Sequence, residues 1–226
     1  MGKTIVINQP YYFPKLHWWK RVSNVDVVVL LNDVSHNTNY PVNRALLFDG
    51  KNEKYLTIPI KRKQRHSFIN EIEINNNLDW IYNQEQLVSN YYKKYKYFSE
   101  LDFYFNHLNN VRLKIKDGDN LLINVIKESI KEVVKKLNLS LSFIDSEDIN
   151  IQEKKNDRLI SICKKLKSNN LILGLGSKNY VDLEMQKYID NNINIVYQDW
   201  KCPVNNYSIL HSIAEYGIEE TRKLIV

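Results

Sequence analysis

Asp26-Val27-Val28-Val29-Leu30-Leu31 runs straight into Asn32-Asp33. An unbroken apolar run bounded by turn residues, rich in β-branched side chains, predicts a strand buried on both faces, as central strands of parallel sheets are. Upstream, Thr4-Ile5-Val6-Ile7 is a second such run and ends in Asn8-Gln9-Pro10. Between the two, Pro10 and Pro14 hold a loop, and Leu16, Trp19 and Val22 form one stripe of a helix over 16–22. Strand, helix and strand in this order open a parallel sheet.

Beyond Asp33 the pattern changes. Ala45 to Phe48 and Lys54 to Ile60 flank Asp49-Gly50-Lys51-Asn52, and Asp-Gly between two apolar runs marks a hairpin turn. Ile72 to Ile74 reads as a further short strand. From Leu78 to Leu137 the spacing is helical, with breaks near Lys96-Tyr97 and near Lys116 to Asp119. Alternation then resumes. Strands are predicted at Leu141–Ile144, Leu171–Leu173 and Ile193–Tyr197. Helices are predicted from an Asn156 or Asp157 cap to Lys167, over Asp182–Asn191, Ser208–Tyr216 and Glu219–Ile225. The expected architecture is one α/β domain spanning 1–226. It has a Rossmann-like, doubly wound and mostly parallel sheet, with the β-hairpin and a helical insertion over 78–137 added to it.

Composition is that of a globular chain: 226 residues, 43% hydrophobic and 26% charged. No run of about 18 apolar residues exists, so no membrane association is expected, and the N-terminus lacks the apolar region and cleavage site of a signal peptide. Two cysteines, Cys163 and Cys202, are too few for a disulfide framework, and the expected compartment is the reducing cytoplasm. With no CxxC or HxxxH pair, no metal is expected. The formal charge of +6 comes from lysines spread over many helices, so no nucleic-acid partner is expected; Lys61 to His66 is the densest local cluster.

The predicted strands place polar or glycine residues at their carboxyl ends. These are Asn8-Gln9, Asn32-Asp33 with His36, Lys61-Arg62, Gly174-Leu175-Gly176-Ser177, and Gln198-Asp199. Open parallel sheets bind ligands outside those ends, so these residues should converge on one crevice. Each has a plainer role too: Asn8 and Gln9 as partners of loop backbone, Asp33 as a turn former, Gly174-x-Gly176 as a tight strand–helix connection. His36 lies in a polar loop rather than on an apolar face, which favours a site. Lys61 and Arg62 follow a strand end and suit phosphoryl oxygens. Gly174-x-Gly176 lacks the full dinucleotide fingerprint, which argues against a nicotinamide cofactor. Cys202 has no histidine beside it in sequence to activate it.

Asn8-Gln9-Pro10-Tyr11-Tyr12-Phe13-Pro14 followed by Trp19-Lys20 resembles the His-Gln-Pro-x-Tyr-x-Pro signature of the WbqC-like family. Asp26 to Val34 is similar to that family's strand ending in Leu-Asp-Asp-Val. Asn43-Arg44, Leu56 to Lys61, Asp157-Arg158-Leu159, Gly174-x-Gly176 with Tyr180, and Tyr197-Gln198-Asp199 match further blocks in order. Three positions depart: Asn8 stands for the leading histidine, Asn32 for the first aspartate, and Cys202 for the histidine of a His-Pro-Val.

The resemblance implies an enzyme of glycan biosynthesis. Its expected reaction is N-acyl transfer from a thioester donor, acetyl-CoA as co-substrate, to the amino group of a nucleotide-linked amino-deoxy sugar such as a 4-amino-4,6-dideoxyhexose. His36 is then the general base and Asp33 its orienter or the amine holder. Asn8 and Gln9 would hold the acyl oxygen or sugar hydroxyls, and Arg44 would join Lys61 and Arg62 on phosphates. Tyr12, Asn32, Asn43, Tyr180 and Asp199 complete the substrate set, and Gly174, Gly176 and Ser177 let the donor approach backbone. Two alternatives stand beside it. One is a nucleotidyltransferase of sugar metabolism. The other is a non-catalytic sugar-nucleotide or carrier-binding module, fused to or associated with a glycosyltransferase.

Overall fold

The computed structural model describes residues 2–77 and 79–226. Five strands form one all-parallel sheet: β1 (Thr4–Asn8), β2 (Val27–Leu30), β5 (Phe143–Asp145), β6 (Asn170–Gly174) and β7 (Asn194–Gln198), in the order β5-β2-β1-β6-β7. Two strands, β3 (Arg44–Phe48) and β4 (Glu53–Thr57), pair antiparallel as a separate hairpin. Nine helices complete the described chain: α1 (Leu16–Val22), α2 (Trp80–Tyr92), α3 (Asp102–Lys116), α4 (Leu122–Lys136), α5 (Ser146–Ile149), α6 (Lys155–Lys165), α7 (Lys178–Val181), α8 (Met185–Asp190) and α9 (Ile209–Ile225). The order is that of a Rossmann-like, doubly wound sheet. β1 is central, and the chain adds strands first on one side of it and then on the other.

Alternation along the strands builds two cores. Ile5 and Ile7 of β1, Val27 and Val29 of β2, and Leu171 and Leu173 of β6 face one side, where Leu159, Ile162 and Cys163 of α6, Val181 and Tyr188 pack. Val6, Val28 and Leu30 face the other, with Leu16, Trp19 and Val22 of α1, Ile213 of α9 and the apolar stripes of α2, α3 and α4. That side is deep because the hairpin and the three-helix insertion, both inserted between β2 and β5, close over it. Burial raises the Cys163 thiol to about 12, so it is an inert core sulfur.

Several predicted boundaries move. Leu78 lies outside the described residues, and the insertion's first helix begins at Trp80 under an Asp79 cap that accepts from the Tyr82 amide. Ile72–Ile74 is not a strand: Ile74 bridges Ile60 and Glu73 bridges Leu121, one residue each, so no ladder propagates. The β4 ladder stops at Thr57, before the predicted Ile60. Helix α6 starts at Lys155, so Asn156 is not its cap; the Asn156 amide is buried and held by the Tyr180 carbonyl and the Tyr188 hydroxyl. The 182–191 helix begins with a turn of 3-10 geometry and is regular only from Met185. The last two predicted helices run together as α9, broken at Gly217, whose φ of 82° a side chain would resist.

Candidate functional site

Asn8-Gln9-Pro10-Tyr11-Tyr12-Phe13-Pro14 leaves the end of β1 and turns back into α1. The turn needs Phe13 at φ 38°, left-handed backbone that a bulky residue adopts at a cost of roughly 1–2 kcal/mol. Neighbours over-determine it. The Tyr12 amide donates to the Val42 carbonyl, the Trp18 indole to the Gln9 carbonyl, the Trp19 indole to the Pro14 carbonyl, and the Ser208 hydroxyl to the Phe13 carbonyl. Tyr12 and Phe13 are fully buried beneath this loop. Its exposed side, and α1 behind it, form one wall of a cavity of about 400 Å³.

The opposite wall is the hairpin face carrying Arg44, Leu46 and Tyr55, and Asn39, Tyr40 and Pro41 edge the cavity. Lys15, His17, Arg21 and Arg44 all line it, and no carboxylate does among the described residues. Lys15, Arg21 and Arg44 make no ion pair among the described residues. Arg21 is held in place by a neutral group instead: its Nε donates to Gln198 Oε1 at 2.9 Å, and Gln198 Nε2 donates to the His17 carbonyl. Burial lowers the Arg21 pKa, and a guanidinium stays charged regardless. Gly174 at the end of β6 makes room for it, since a Cβ there would stand 2.7 Å from Arg21 Nη2. The cavity therefore meets the sheet at Asn8, the end of β1, beside the point where the order of strands reverses, and β6 and β7 reach it through Arg21, which leans on Gly174 and Gln198.

His17 is the histidine lining this cavity. Burial lowers its pKa below the ordinary 6.5, opposed by the Asn206 hydrogen bond, with the Arg21 and Lys15 charges adding to the fall. Its imidazole is neutral near pH 7. Asn206 Oδ1 accepts from the His17 backbone amide, and both amide atoms of that side chain lie near Nδ1, at 2.9 and 3.1 Å. Donation from Nδ1–H to Oδ1 leaves Nε2 a free base; donation from Nδ2–H to Nδ1 leaves Nε2–H a donor.

The residues named from sequence divide into groups. Asn8 and Arg44 line the cavity, and the Asn8 Nδ2 group is covered and without a partner. Gln9 lies beside it, its Oε1 accepting from the Tyr11 hydroxyl. Gly174 shapes it through Arg21, while Gly176 has open space around it and Ser177 closes a turn on the Gly174 carbonyl. Tyr180 and Asp199 are exposed and do not line the cavity. Tyr12 is a core side chain: it is wholly buried and donates to Gln84 Oε1 at 2.8 Å. Asn43 fastens the hairpin, donating to the Ile58 carbonyl at 2.7 Å.

Asn32 and Asp33 belong to a lattice across the ends of β2 and β5. Asn32 is fully buried, donating to Glu147 Oε1 and accepting from the Ser146 hydroxyl. Asp33 receives Arg158 Nη2 on both oxygens, at 2.6 and 2.5 Å, and its Oδ1 shares the single Ser146 hydroxyl proton with Asn32 Oδ1. His36 is covered to 4% exposure and donates from Nδ1–H to the Arg65 carbonyl at 2.9 Å; its Nε2 is buried without a partner among the described residues. It does not line the cationic cavity.

Lys61 and Arg62 follow an antiparallel strand outside the parallel sheet and so leave the crevice. They line a second, open cavity of about 610 Å³ with Lys63, Asn75, Asn76 and Asn77, and Lys61 is paired with Glu73 at 2.5 Å. Lys15, His17, Arg21 and Asn206 were not singled out from sequence as site residues. The available signal was the His17–Arg21 spacing of four, which sets both on the face of α1 away from its Leu16–Trp19–Val22 stripe.

The chain thus combines a doubly wound α/β fold with a cavity lined by cationic side chains at the carboxyl end of its central strand. The sequence model of the WbqC-like protein family matches residues 9–212, and the chain belongs to that family. Comparison with curated proteins and with solved structures gave no match. No helix among the described residues is long and apolar enough to cross a membrane.

Proposed function

We propose that the chain is an N-acyltransferase of glycan biosynthesis, moving an acyl group from a thioester such as acetyl-CoA to the amine of a nucleotide-linked amino-deoxy sugar. A 4-amino-4,6-dideoxyhexose is the acceptor class in view. The observation carrying this reading is a neutral imidazole, His17, set among Lys15, Arg21 and Arg44, which have no ion pair among the described residues, in a cavity that no described carboxylate lines. That combination suits acyl transfer. The acceptor amine must lose a proton, the tetrahedral oxyanion needs donors, and the phosphates of both substrates need positive charge. His17 Nε2 takes the proton, in the tautomer with Nδ1–H on Asn206. In this reading Lys15 donates to the oxyanion. Arg21 and Arg44 meet phosphate. The base role moves from His36 to His17, since the covered Nε2 of His36 faces neither cavity.

The test is thiol release from acetyl-CoA with a panel of nucleotide-linked amino sugars. His17→Asn should cut kcat at least about 100-fold, the ordinary scale of general-base catalysis. Because burial and two cations lower the His17 pKa, the wild-type rate should be lost on acidification only below pH 6.5. Unchanged kcat in the variant would remove His17 from the mechanism, and absence of thiol release across the panel would remove the acyltransferase reading. One observation favours a second reading, a non-catalytic nucleotide-sugar-binding module: Asn8 stands where the family signature has a histidine. Nucleotide-sugar binding without turnover would select it.

A further inference from the structure

Resting on the reading of this cavity as an anion site, we propose that it takes a nucleoside diphosphate, the base on Tyr55 and Tyr40 and the diphosphate among Lys15, Arg21 and Arg44. Nucleotide-linked sugars and coenzyme A share that chemical unit.

The charge count comes first. Three cationic side chains line a cavity of about 400 Å³ and none has a carboxylate partner among the described residues, so the site is free to take its countercharge from a ligand. They stand on separate supports. Lys15 lies at the end of the signature loop, Arg21 one helical turn beyond His17 on α1, and Arg44 on the hairpin. A single-point anion would not need all three; two linked phosphates can engage them together.

The rings come second. Tyr55 is 51% exposed and Tyr40 71% exposed, and both border the cavity instead of joining the core. Tyr55 points from the hairpin on the same face as Arg44, whose guanidinium lies 5.8 Å from the ring centroid. An exposed ring beside a bound phosphate is the platform on which a base stacks, and stacking tolerates any base. The volume sits at the low end of small-molecule sites, which accommodates a nucleoside diphosphate and leaves the sugar or pantetheine part to extend outward.

Titration calorimetry on the full chain, with thymidine diphosphate, coenzyme A and pyrophosphate as separate ligands, tests the assignment. A nucleoside diphosphate should bind at least tenfold tighter than pyrophosphate. Tyr55→Ala, an exposed substitution, should erase that ratio without altering pyrophosphate affinity. Arg21→Gln should weaken both ligands at least tenfold. Coenzyme A displacing thymidine diphosphate identifies the donor's nucleotide as an occupant; binding of thymidine diphosphate alone identifies the acceptor's; each supports the assignment. Equal affinity for pyrophosphate and thymidine diphosphate, or a tenfold ratio surviving both Tyr55→Ala and Tyr40→Ala, would overturn it. Nucleotide binding without thiol release would sink the acyltransferase reading alone. Transfer that proceeds while neither nucleotide binds here would sink this one alone.

Discussion

His107 on α3 is fully buried, packed edge-on to Phe13 at 5.4 Å and near Tyr12 at 6.1 Å, and neither ring nitrogen has a hydrogen-bond partner among the described residues. Burial, with a smaller push from Lys114, lowers its pKa from 6.5 to about 3. The folded chain therefore keeps this imidazole neutral where the unfolded chain protonates it. Between those two values the unfolded state binds the extra proton, so stability falls as pH falls, beginning near 6.5. At pH 5 the one-group linkage amounts to about 2 kcal/mol. Substituting His107→Leu removes the titration while keeping an apolar side chain of similar size. Urea unfolding followed by tryptophan fluorescence, at pH 7 and pH 5, should show wild type losing about 2 kcal/mol more than the variant over that interval, because other groups cancel in the comparison. The variant should also be the more stable at pH 7, by roughly 1–3 kcal/mol, having no unpaired polar ring in the core. Equal pH dependence in the two proteins would refute the reasoning and mean that His107 is partnered in solution.

Gly174→Ala should leave the urea midpoint nearly unchanged, since its Cβ meets only the far end of Arg21. It should nevertheless weaken thymidine diphosphate binding about as much as Arg21→Gln, by pushing the guanidinium off Gln198. Asp33→Ala strands the partly buried Arg158, 12% exposed at its side chain, and should cost roughly 2 kcal/mol in urea unfolding while changing kcat less than threefold. A collapse of kcat with intact stability would return Asp33 to the chemistry. Ser208→Ala removes both the hydroxyl on the Phe13 carbonyl and the cap of α9, and should cost about 1–2 kcal/mol in the same assay.

The parallel sheet was legible because its strands carry a local mark. Val27 to Leu31 has no polar residue on either face, and a strand of that kind has few other places to go. The hairpin was legible from Asp49-Gly50, whose glycine takes φ 93°. Lys61 and Arg62 misled because a strand end in sequence carries no label for which sheet the strand joins; β4 pairs only with β3. Asn32 and Asp33 look like site residues for the same reason that they hold the rim. Short polar side chains at a strand end serve ligands and neighbouring backbone equally, and only the positions of Ser146, Glu147 and Arg158 decide. His17 escaped notice because its orienting partner, Asn206, is distant in sequence, and the desolvation that makes it a base depends on the fold around it.

The insertion between β2 and β5 has a consequence for how the molecule assembles. Val28 and Phe143 are neighbours in the sheet although more than a hundred residues separate them, and β5 is a short strand. Closing such a loop costs entropy before its pairing returns anything, so β5 should dock late. The walls of the cationic cavity, in contrast, come from residues 8–55, and β1, α1, β2 and the hairpin all emerge early in synthesis. Asn206 and Ser208 arrive near the end of the chain and fasten onto His17 and Phe13. The nascent protein can thus gather its ligand-facing surfaces first, while the left-handed turn at Phe13 waits for the carboxyl-terminal segment to lock it.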